Sequence, residues 1–371
     1  MKENARAMSE EAVQVKAEKD YSDYQRGLQG WMERHRPDLK NLRVHDLRVP
    51  EGSGHSNETV LFEVSWDGDS SSETARYVAR VEPPDGGVFP EQSPACKISV
   101  ELQHRMMDAI GRTGVAPISP LLPFENDTSI LGQPFFVMEF VPGVTPKDLP
   151  RYSQEGFLVD ASPSERERLV KSGIQAMAAI HTLDWRDAGL EWLDTSGTPS
   201  MGHQVEIYRN FARAELKGRE HAVLFDALDW LDKHDPNAPV GVSWGDARTG
   251  NMIFEDFECR AVVDWEAASI APCEADLGWW IMFDRQSFEQ MGVERLEGIP
   301  TLEDQVAYYE SCRGSKIAGD IHYWEVFAVA RFCTIYIHLA DRMVEAGLMP
   351  EKNSMAVNNF VTDQLAGMII N

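Results

Sequence analysis

The spacing of the hydrophobic positions changes from a helical to an alternating pattern near residue 40. Residues 21–36 carry Tyr24, Leu28 and Trp31 on one helical face and end before a proline, so this segment is predicted to be a helix. Alternating or continuous apolar runs then predict strands at 42–49, 59–66, 75–81, 118–123 and 134–141. With a further predicted helix at 95–111, this part of the chain is expected to form a small, mainly antiparallel sheet.

From residue 147 onward the pattern is mainly helical. The apolar positions predict helices at 164–181, within 205–231, from 274, and at 302–310, 323–345 and 357–370, with short strands at 252–254 and 261–263. A Ser-x-x-Glu pattern at Ser164 and Glu167 predicts the cap of the first of these helices. Pro142-Gly143 breaks the last strand of the sheet. The predicted fold class is therefore α+β, with a sheet-containing lobe at residues 1–141 and a larger helical lobe at 142–371.

A set of three polar residues in the helical half is typical of one type of reaction. Asp246 is followed five positions later by Asn251, and Asp264 ends the next pair of apolar runs. Phosphoryl transfer from ATP requires an Asp that orients and deprotonates the attacking hydroxyl, and an Asn and a second Asp that hold Mg²⁺. The D-x-x-x-x-N spacing matches the catalytic loop of protein kinases, although Trp-Gly stands here in the place of His-Arg.

The same segment resembles the H-G-D-x-x-x-x-N and D-W-E motifs of the aminoglycoside phosphotransferase family. The form G-D-x-R-x-G-N-x-x-F, from Gly245 to Phe254, and a D-L-G-W run ending at Trp279 resemble the branch related to the kinase-like domains of acyl-CoA dehydrogenases. The resemblance runs from about Leu42 to about Gly347 and implies a two-lobe, protein-kinase-like fold. It also implies that Asp276 braces the backbone of the catalytic loop.

The nucleotide site implied by the resemblance lies mostly in the first lobe. The loop between the first two strands carries Gly52, Ser53, Gly54, Ser56 and Asn57. A strand follows this loop instead of a helix, so a kinase-type loop that covers ATP phosphates is favoured over a dinucleotide fingerprint or a plain hairpin turn. Arg80 replaces the kinase lysine and Glu101 is its implied partner, although each alone is typical of a solvated surface. Adenine is expected against the backbone of Glu139 to Val141.

Three further residues, two of them next to the motif in the sequence, are open to two interpretations. Arg248 either stabilises the charge of the transferred phosphate or forms a salt bridge with a nearby carboxylate. Glu266 is a candidate contact of a second metal ion or of a substrate group. His181 is predicted to be a packed structural histidine rather than a catalytic one, because no partner motif lies near it in the sequence.

A serine hydrolase is a rival interpretation. Gly241 to Gly245 matches G-x-S-x-G with Ser243 as the nucleophile, and Asp264 and His322 follow in the order of a triad. A nucleophile elbow, however, turns from a strand directly into a helix. Here a loop rich in Gly and Asn and then a strand follow, so the hydrolase interpretation is disfavoured.

A kinase-like protein that binds nucleotide without transferring phosphate is the second rival. The missing lysine and the replacement of the family histidine by Trp244 support it. Asp246, Asn251 and Asp264 are all retained, and each would be dispensable in an inactive protein. Activity is therefore favoured.

The composition of the chain limits the kinds of partner and cellular location that are expected. The 371 residues carry a formal net charge of -25, which argues against nucleic-acid binding because no basic stripe offsets phosphate repulsion. The five scattered cysteines form no C-x-x-C pair, and the N-terminus lacks a signal-peptide pattern, so a cytoplasmic location is predicted. The most apolar stretch, 326–340, contains Arg331 and His338 and is too short to cross a membrane, so it is predicted to be a buried helix.

The sequence thus predicts an ATP- and Mg²⁺-dependent phosphotransferase acting on a hydroxyl of a small molecule, with GTP as an open alternative. Asp246 is the predicted base and Asn251 and Asp264 are the predicted metal ligands. A hydroxyacyl-CoA-like acceptor is preferred over an aminoglycoside on the branch resemblance and on the aromatic residues of the C-terminal half. The acidic charge argues the other way, because it suits a polycation. The oligomeric state is not predicted.

Overall fold

The computed structural model describes residues 21–49, 57–69, 71–84, 87–148, 150–194, 197–350 and 354–369. Internal contacts divide the chain into two compact units. The first unit contains the described residues up to Gly87, together with Ile98–Asp108 and Ser119–Val141. The second contains Val88–Lys97, Ala109–Ile118 and the described residues from Pro142 onward. The longest segment of the second unit begins at Pro142, and two short segments before it pack with the same unit.

The first unit contains a five-stranded antiparallel sheet. Its strands are β1 (Lys40–Arg48), β2 (Glu58–Asp67), β3 (Ser72–Val81), β4 (Leu121–Glu125) and β5 (Phe135–Glu139), in the order β1-β2-β3-β5-β4. Three helices begin in this part of the chain: α1 (Ser22–His35), α2 (Ser99–Thr113) and α3 (Thr128–Leu131). The five predicted strands and both predicted helices are present, with ends shifted by a few residues.

The core of the first unit forms because alternate strand residues meet the apolar face of α1. Leu28, Trp31 and Met32 of α1 are fully buried in the same cluster as Phe62 and Val64 of β2. A side chain of this size, fully buried, contributes about 1.5–3 kcal/mol to stability. The cluster fixes the register of the sheet, because a slip of one residue would turn the buried set of β2 to the other face.

The second unit is mainly helical. Its helices are α4 (Phe157–Asp160), α5 (Pro163–His181), α6 (Met201–Leu216), α7 (Ala222–Lys233), α8 (Glu274–Ser287), α9 (Leu302–Arg313), α10 (Ile321–Glu345) and α11 (Phe360–Ile369). Two small antiparallel pairs accompany them: β6 (Val240–Ser243) with β9 (Ser269–Pro272), and β7 (Met252–Glu255) with β8 (Glu258–Val262). The apolar core is built around α10, which confirms the buried helix predicted there. Among the described helices, none is both long and apolar enough to cross a membrane.

The cap of α5 corrects the predicted one. Ser162, not Ser164, is the N-cap, and it forms a capping box with Glu165. Pro163 explains the difference: proline is favoured at the first helical position, so the cap must be the residue immediately before it. Glu167, the predicted partner, instead lies 2.5 Å from the ammonium of Lys171 one turn later.

Candidate active site

The residues of the motif lie in a loop between β6 and β7, beside the segment that joins β8 to β9. Pairing of β6 with β9 and of β7 with β8 holds these two connections together. A short 3-10 turn, Thr249–Asn251, ends the loop. The backbone N–H of Val263 donates to the carbonyl of Asn251 at 3.0 Å. Asn251 and Asp264, the two predicted metal ligands, are therefore brought to neighbouring backbone positions.

A buried aspartate in α8 holds the first turn of the loop. Asp276 is completely buried and accepts from the N–H groups of Trp244 and Gly245, at 2.6 Å and 2.8 Å. Its carboxylate also accepts from the Ser243 hydroxyl at 2.9 Å. Burial opposes ionisation, but the contact with His181 and the backbone donors outweigh it, so the pKa of Asp276 is lowered. The geometry agrees with the support role that the resemblance implied.

His181 takes part in this brace. Its Nε2 lies 2.9 Å from Asp276 Oδ2, and its Nδ1 lies 2.7 Å from the hydroxyl of Tyr309. The ring is buried, as expected for a packed histidine. The sequence offers no sign of the contact, because the two residues are 95 positions apart.

Gly245, directly before the predicted base, has a backbone that requires glycine. Its φ is +91°, and a Cβ atom built there would lie 2.1 Å from the carbonyl oxygen of Ala267. Its own carbonyl accepts from the guanidinium of Arg331 at 2.7 Å. Arg331 was not predicted to belong to the site, although an arginine in the middle of an apolar helix is a recognisable signal.

The predicted base, Asp246, is nearly buried and its carboxylate accepts several hydrogen bonds. Oδ1 accepts from the indole of Trp279 at 2.7 Å and from Nε of Arg248 at 3.2 Å. Oδ2 accepts from the amide nitrogen of Asn251 at 2.6 Å. These donors fix the orientation of both carboxylate oxygens. Trp279 is a second residue of the site that sequence analysis missed.

Asn251 and Asp264 provide oxygen atoms of the kind that Mg²⁺ prefers. The amide nitrogen of the Asn251 side chain donates to the carboxylate and to the backbone carbonyl of Asp246. The amide oxygen is thus the atom left for a cation. Asp264 has a φ of +62°, an uncommon conformation for a non-glycine residue and one that recurs at functional sites. An amide oxygen and a carboxylate suit a hard divalent cation.

Trp244 joins the two halves of the motif. Its fully buried indole donates to the backbone carbonyls of Val263 and Asp264, at 3.0 Å and 3.2 Å. The residue that replaces the family histidine thus orients the backbone that carries Asp264. The indole supplies a hydrogen-bonded link within the site.

Arg248 is engaged by carboxylates. It forms an ion pair with Asp148 and a second, at 3.2 Å, with Asp246. Burial works against its charge, but Asp246 and Asp148 outweigh burial, and the pKa of Arg248 is raised. Gly250 makes room for this arrangement, since a Cβ there would lie 2.5 Å from Nη1 of Arg248. Of the two predicted roles, the salt bridge is the one present in this structure.

The nucleotide-binding residues predicted in the first unit are only partly described. Gly52, Ser53, Gly54 and Ser56 lie outside the described residues. Asn57 is buried, and its amide donates to the hydroxyl of Ser99 at 3.3 Å.

The predicted Arg80–Glu101 pair is corrected by the structure. The Arg80 guanidinium donates to Thr59 at 2.7 Å and to the side chain of Gln103 at 3.4 Å. Glu101 instead lies 3.6 Å from Arg105. Positions 101 and 103 are separated by about 200° around a helix, so α2 presents only one of them to β3.

The predicted adenine contact, Glu139 to Val141, follows the end of β5. The N–H of Glu139 donates to Pro120 at 2.9 Å, and its carbonyl accepts from the hydroxyl of Ser119. The N–H of Phe140 donates to Arg76 at 2.9 Å. Val141 is half-buried. The sheet therefore fixes the backbone on which the predicted contact depends.

The structure contradicts the hydrolase interpretation. Ser243 is buried and its hydroxyl donates to Asp276, so it is not presented to a substrate. Nε2 of His322 lies 3.1 Å from the carbonyl of Met368. A loop and then β7 follow the serine, in place of the helix that a nucleophile elbow needs.

A mainly apolar pocket of the second unit adjoins the loop. Its lining residues are Tyr152, Leu158, Leu169, Val170, Arg248, Thr249, Trp280, Phe283, Asp284, Ile299 and Gln305. The carboxylate of Asp284 forms an ion pair with Arg295 and accepts from Gln305 at 3.0 Å. Burial raises the pKa of Tyr152, which keeps its hydroxyl neutral. The two charged residues of this lining, Arg248 and Asp284, thus each form ion pairs with residues outside it.

Known proteins are similar to this chain in sequence and in fold. The model of the phosphotransferase enzyme family matches residues 49–309. Human acyl-CoA dehydrogenase family member 11 is 26% identical over 296 residues, covering 76% of this chain and 36% of that protein. Mouse acyl-CoA dehydrogenase family member 10 is 27% identical over 248 residues, covering 64% of this chain and 22% of that protein. The chain thus spans well under half of the length of these relatives.

Solved structures confirm the predicted kinase-like α+β fold. A candidate aminoglycoside phosphotransferase from Ralstonia eutropha aligns with a TM-score of 0.64 and 24% identity, covering 93% of this chain and 95% of that one. Plasmodium vivax ethanolamine kinase aligns with a TM-score of 0.56 and 12% identity, covering 99% of this chain and 92% of that one. A ternary complex of the aminoglycoside phosphotransferase APH(4)-Ia with AMP-PNP and hygromycin B aligns with a TM-score of 0.53 and 14% identity. It covers 93% of this chain and 98% of that one.

Proposed function

The chain belongs to the phosphotransferase enzyme family, and from this premise we propose that it transfers the γ-phosphate of ATP to a hydroxyl group of a small molecule. The observation that carries the proposal is the contact between Asp246 and Asn251. The Asn251 amide nitrogen donates to the Asp246 carboxylate at 2.6 Å, which orients the base and turns the amide oxygen away from it. A base and a metal ligand are thereby fixed by one hydrogen bond.

In the proposed reaction Asp246 accepts the proton of the attacking hydroxyl. A bond forms between the acceptor oxygen and the γ-phosphorus as the bond from that phosphorus to the bridging oxygen breaks, and ADP leaves. Trp279 and Asn251 hold the two carboxylate oxygens in place, so little reorientation is needed at the moment of transfer. Arg248 lies beside the base, where its charge is available to the transferring group once it turns from Asp148.

Asn251 and Asp264 are the residues proposed to hold Mg²⁺, through the amide oxygen and the carboxylate. When bound, the metal ion supplies positive charge that neutralises the phosphate oxygens. The protein has a formal net charge of -25, so this neutralisation is important for binding an anionic nucleotide. In the first unit, Asn57, Arg80 and the backbone of Glu139 to Val141 are the proposed nucleotide contacts.

For the acceptor, we propose a hydroxylated compound with an apolar body, such as a hydroxyacyl-CoA, in preference to an aminoglycoside. The pocket beside Arg248 is lined mostly by aliphatic and aromatic side chains, including Leu169, Phe283 and Ile299. A polycation would bind best to unpaired carboxylates. Asp284 in the pocket and Asp148 next to Arg248, however, already form ion pairs with arginines. The acyl-CoA dehydrogenase names of the relatives agree with this choice, whereas the aminoglycoside complexes among the structural neighbours favour the other.

The deciding experiment measures ADP release with Mg²⁺ and ATP for 3- and 4-hydroxyacyl-CoA and for kanamycin-like compounds at equal concentrations. We expect turnover with the acyl compounds, abolished to within background by Asp246→Asn, while ATP affinity measured by calorimetry stays within about threefold. Asp226→Asn, on the exposed side of α7, is the matched control. Turnover of kanamycin alone would overturn the acceptor class. Nucleotide binding without transfer to any hydroxyl would favour the inactive alternative.

A further inference from the structure

Arg331 lies in the middle of α10 and is only 3% exposed. Its Nη2 donates to the carbonyl of Gly245 at 2.7 Å, and its Nε donates to the hydroxyl of Tyr208 at 2.9 Å. The carbonyl that it binds belongs to the peptide group that continues into Asp246. The preceding N–H, that of Gly245, is bound by Asp276 at 2.8 Å. The backbone on both sides of the Gly245 Cα is therefore held by buried, charged side chains.

A second contact links Arg331, through Trp279, to the carboxylate of Asp246. The guanidinium carbon lies 4.6 Å from the centroid of the Trp279 ring. The indole N–H of Trp279 donates to Oδ1 of Asp246 at 2.7 Å. Arg331 thus contacts both the backbone and the side-chain partner of the proposed base, without touching its carboxylate.

We propose that Arg331 is a positioning residue for Asp246, fixing the peptide before it and the indole that orients its carboxylate. The inference rests on the proposed function, since Asp246 must act as the base for its orientation to affect turnover. It assigns a role in the reaction to a residue of α10 that lies 86 positions beyond the loop.

Packing alone does not account for an arginine at this place. A buried guanidinium bears a desolvation cost, and apolar side chains of similar volume are often as stable or more so. The site has two buried carboxylates, Asp246 and Asp276, and the positive charge of Arg331 helps lower the pKa of Asp276. Burial raises the pKa of Tyr208, Arg331 opposes that rise, and the two aspartates add to it. These groups therefore form one electrostatic cluster under the loop.

The test compares Arg331→Met and Arg331→Lys with the control Arg209→Met. Arg209 is also a buried arginine, but it forms ion pairs with Asp229 and Asp232, between α6 and α7. We expect Arg331→Met to lower kcat by about 100-fold, the size of effect that a misplaced reactive group produces, with KM for ATP changed by less than about threefold. The kcat of Arg331→Lys should lie between those of the wild-type protein and Arg331→Met, because an ammonium can still donate to the Gly245 carbonyl. Arg209→Met should lower the melting temperature without changing kcat more than about threefold.

Two outcomes separate the inference from the proposed function. Phosphoryl transfer by the wild-type protein together with an unchanged kcat in Arg331→Met overturns the inference alone. Absence of transfer by the wild-type protein to any hydroxyl acceptor overturns both. If Arg331→Met does not fold, Tyr208→Phe and Arg331→Lys decide the question: lowered kcat at near-normal KM supports the positioning role, and wild-type kcat in both overturns it.

Discussion

The indole of Trp244 donates a hydrogen bond to the backbone carbonyl of Asp264, across 3.2 Å and a sequence separation of 20 residues. The bond connects the residue beside the catalytic loop with the residue proposed to bind the metal ion. It explains how this chain can lack the family histidine and still hold the two segments of the motif together.

We predict that Trp244→Phe weakens both stability and metal binding. Loss of the N–H leaves the carbonyls of Val263 and Asp264 without this donor, which should lower the free energy of unfolding by about 1–3 kcal/mol. The Mg²⁺ concentration for half-maximal ATP binding should also rise, as measured by titration calorimetry. Trp324→Phe is the control, because this buried indole donates to Ala318, away from the motif. An equal rise in the Mg²⁺ requirement in both variants would contradict the link.

Asp264→Asn should uncouple nucleotide binding from Mg²⁺. Asparagine tolerates the positive φ of this position, so the change removes the charge while retaining the backbone conformation. We expect ATP to bind the variant with the same weak affinity in Mg²⁺ as in EDTA, whereas the wild-type protein should bind more tightly with Mg²⁺. An undiminished Mg²⁺ effect in the variant would exclude Asp264 as a ligand.

The lowered pKa of Asp276 predicts an acid limit to stability. Because the folded-state pKa lies below the ordinary value of 3.8, the carboxylate contributes stability above that value. The contribution is lost as the pH falls through the folded-state pKa. In urea unfolding between pH 2.5 and pH 7, Asp276→Asn should be less stable than the wild-type protein at neutral pH, and the difference should shrink below about pH 4. A constant difference over the whole range would show that ionisation of Asp276 does not contribute.

Two glycine-to-alanine variants should have opposite effects. Gly245→Ala places a Cβ 2.1 Å from a backbone oxygen at a φ of +91°, so we expect a loss of at least about 2 kcal/mol or failure to fold. Gly367→Ala lies in the exposed part of α11 with nothing within 4 Å of its new methyl group. It should gain about 0.5–1 kcal/mol, because alanine is the better helix former. The free energy of unfolding in urea, measured for both variants and for the wild-type protein, tests this prediction.

Short-range patterns explain what the sequence could predict. The five-position step from Asp246 to Asn251 spans one loop, so the spacing alone places both residues in the same part of the site. Strand periodicity likewise places Arg80 in β3. Which helix residue meets that arginine depends on the rotation of α2, and a two-residue error exchanged Gln103 for Glu101.

Long-range contacts explain what the sequence could not predict. Trp279, His181 and Arg331 reach the site through the packing of three different helices. No local period or motif states that Trp279 donates to Asp246. The β9 strand was missed because its four residues carry no alternation, being buried on every side.

The brace around Gly245 also bears on how the chain reaches its folded state. The loop depends on a helix that precedes it and on two that follow it, with separations of 33 residues from Ser243 to Asp276 and 86 from Gly245 to Arg331. During synthesis from the N-terminus, the ribosome releases the loop well before α10 is available. The loop therefore acquires its final shape only when the last large helix docks, so that formation of the candidate site and completion of the second unit become a single late event.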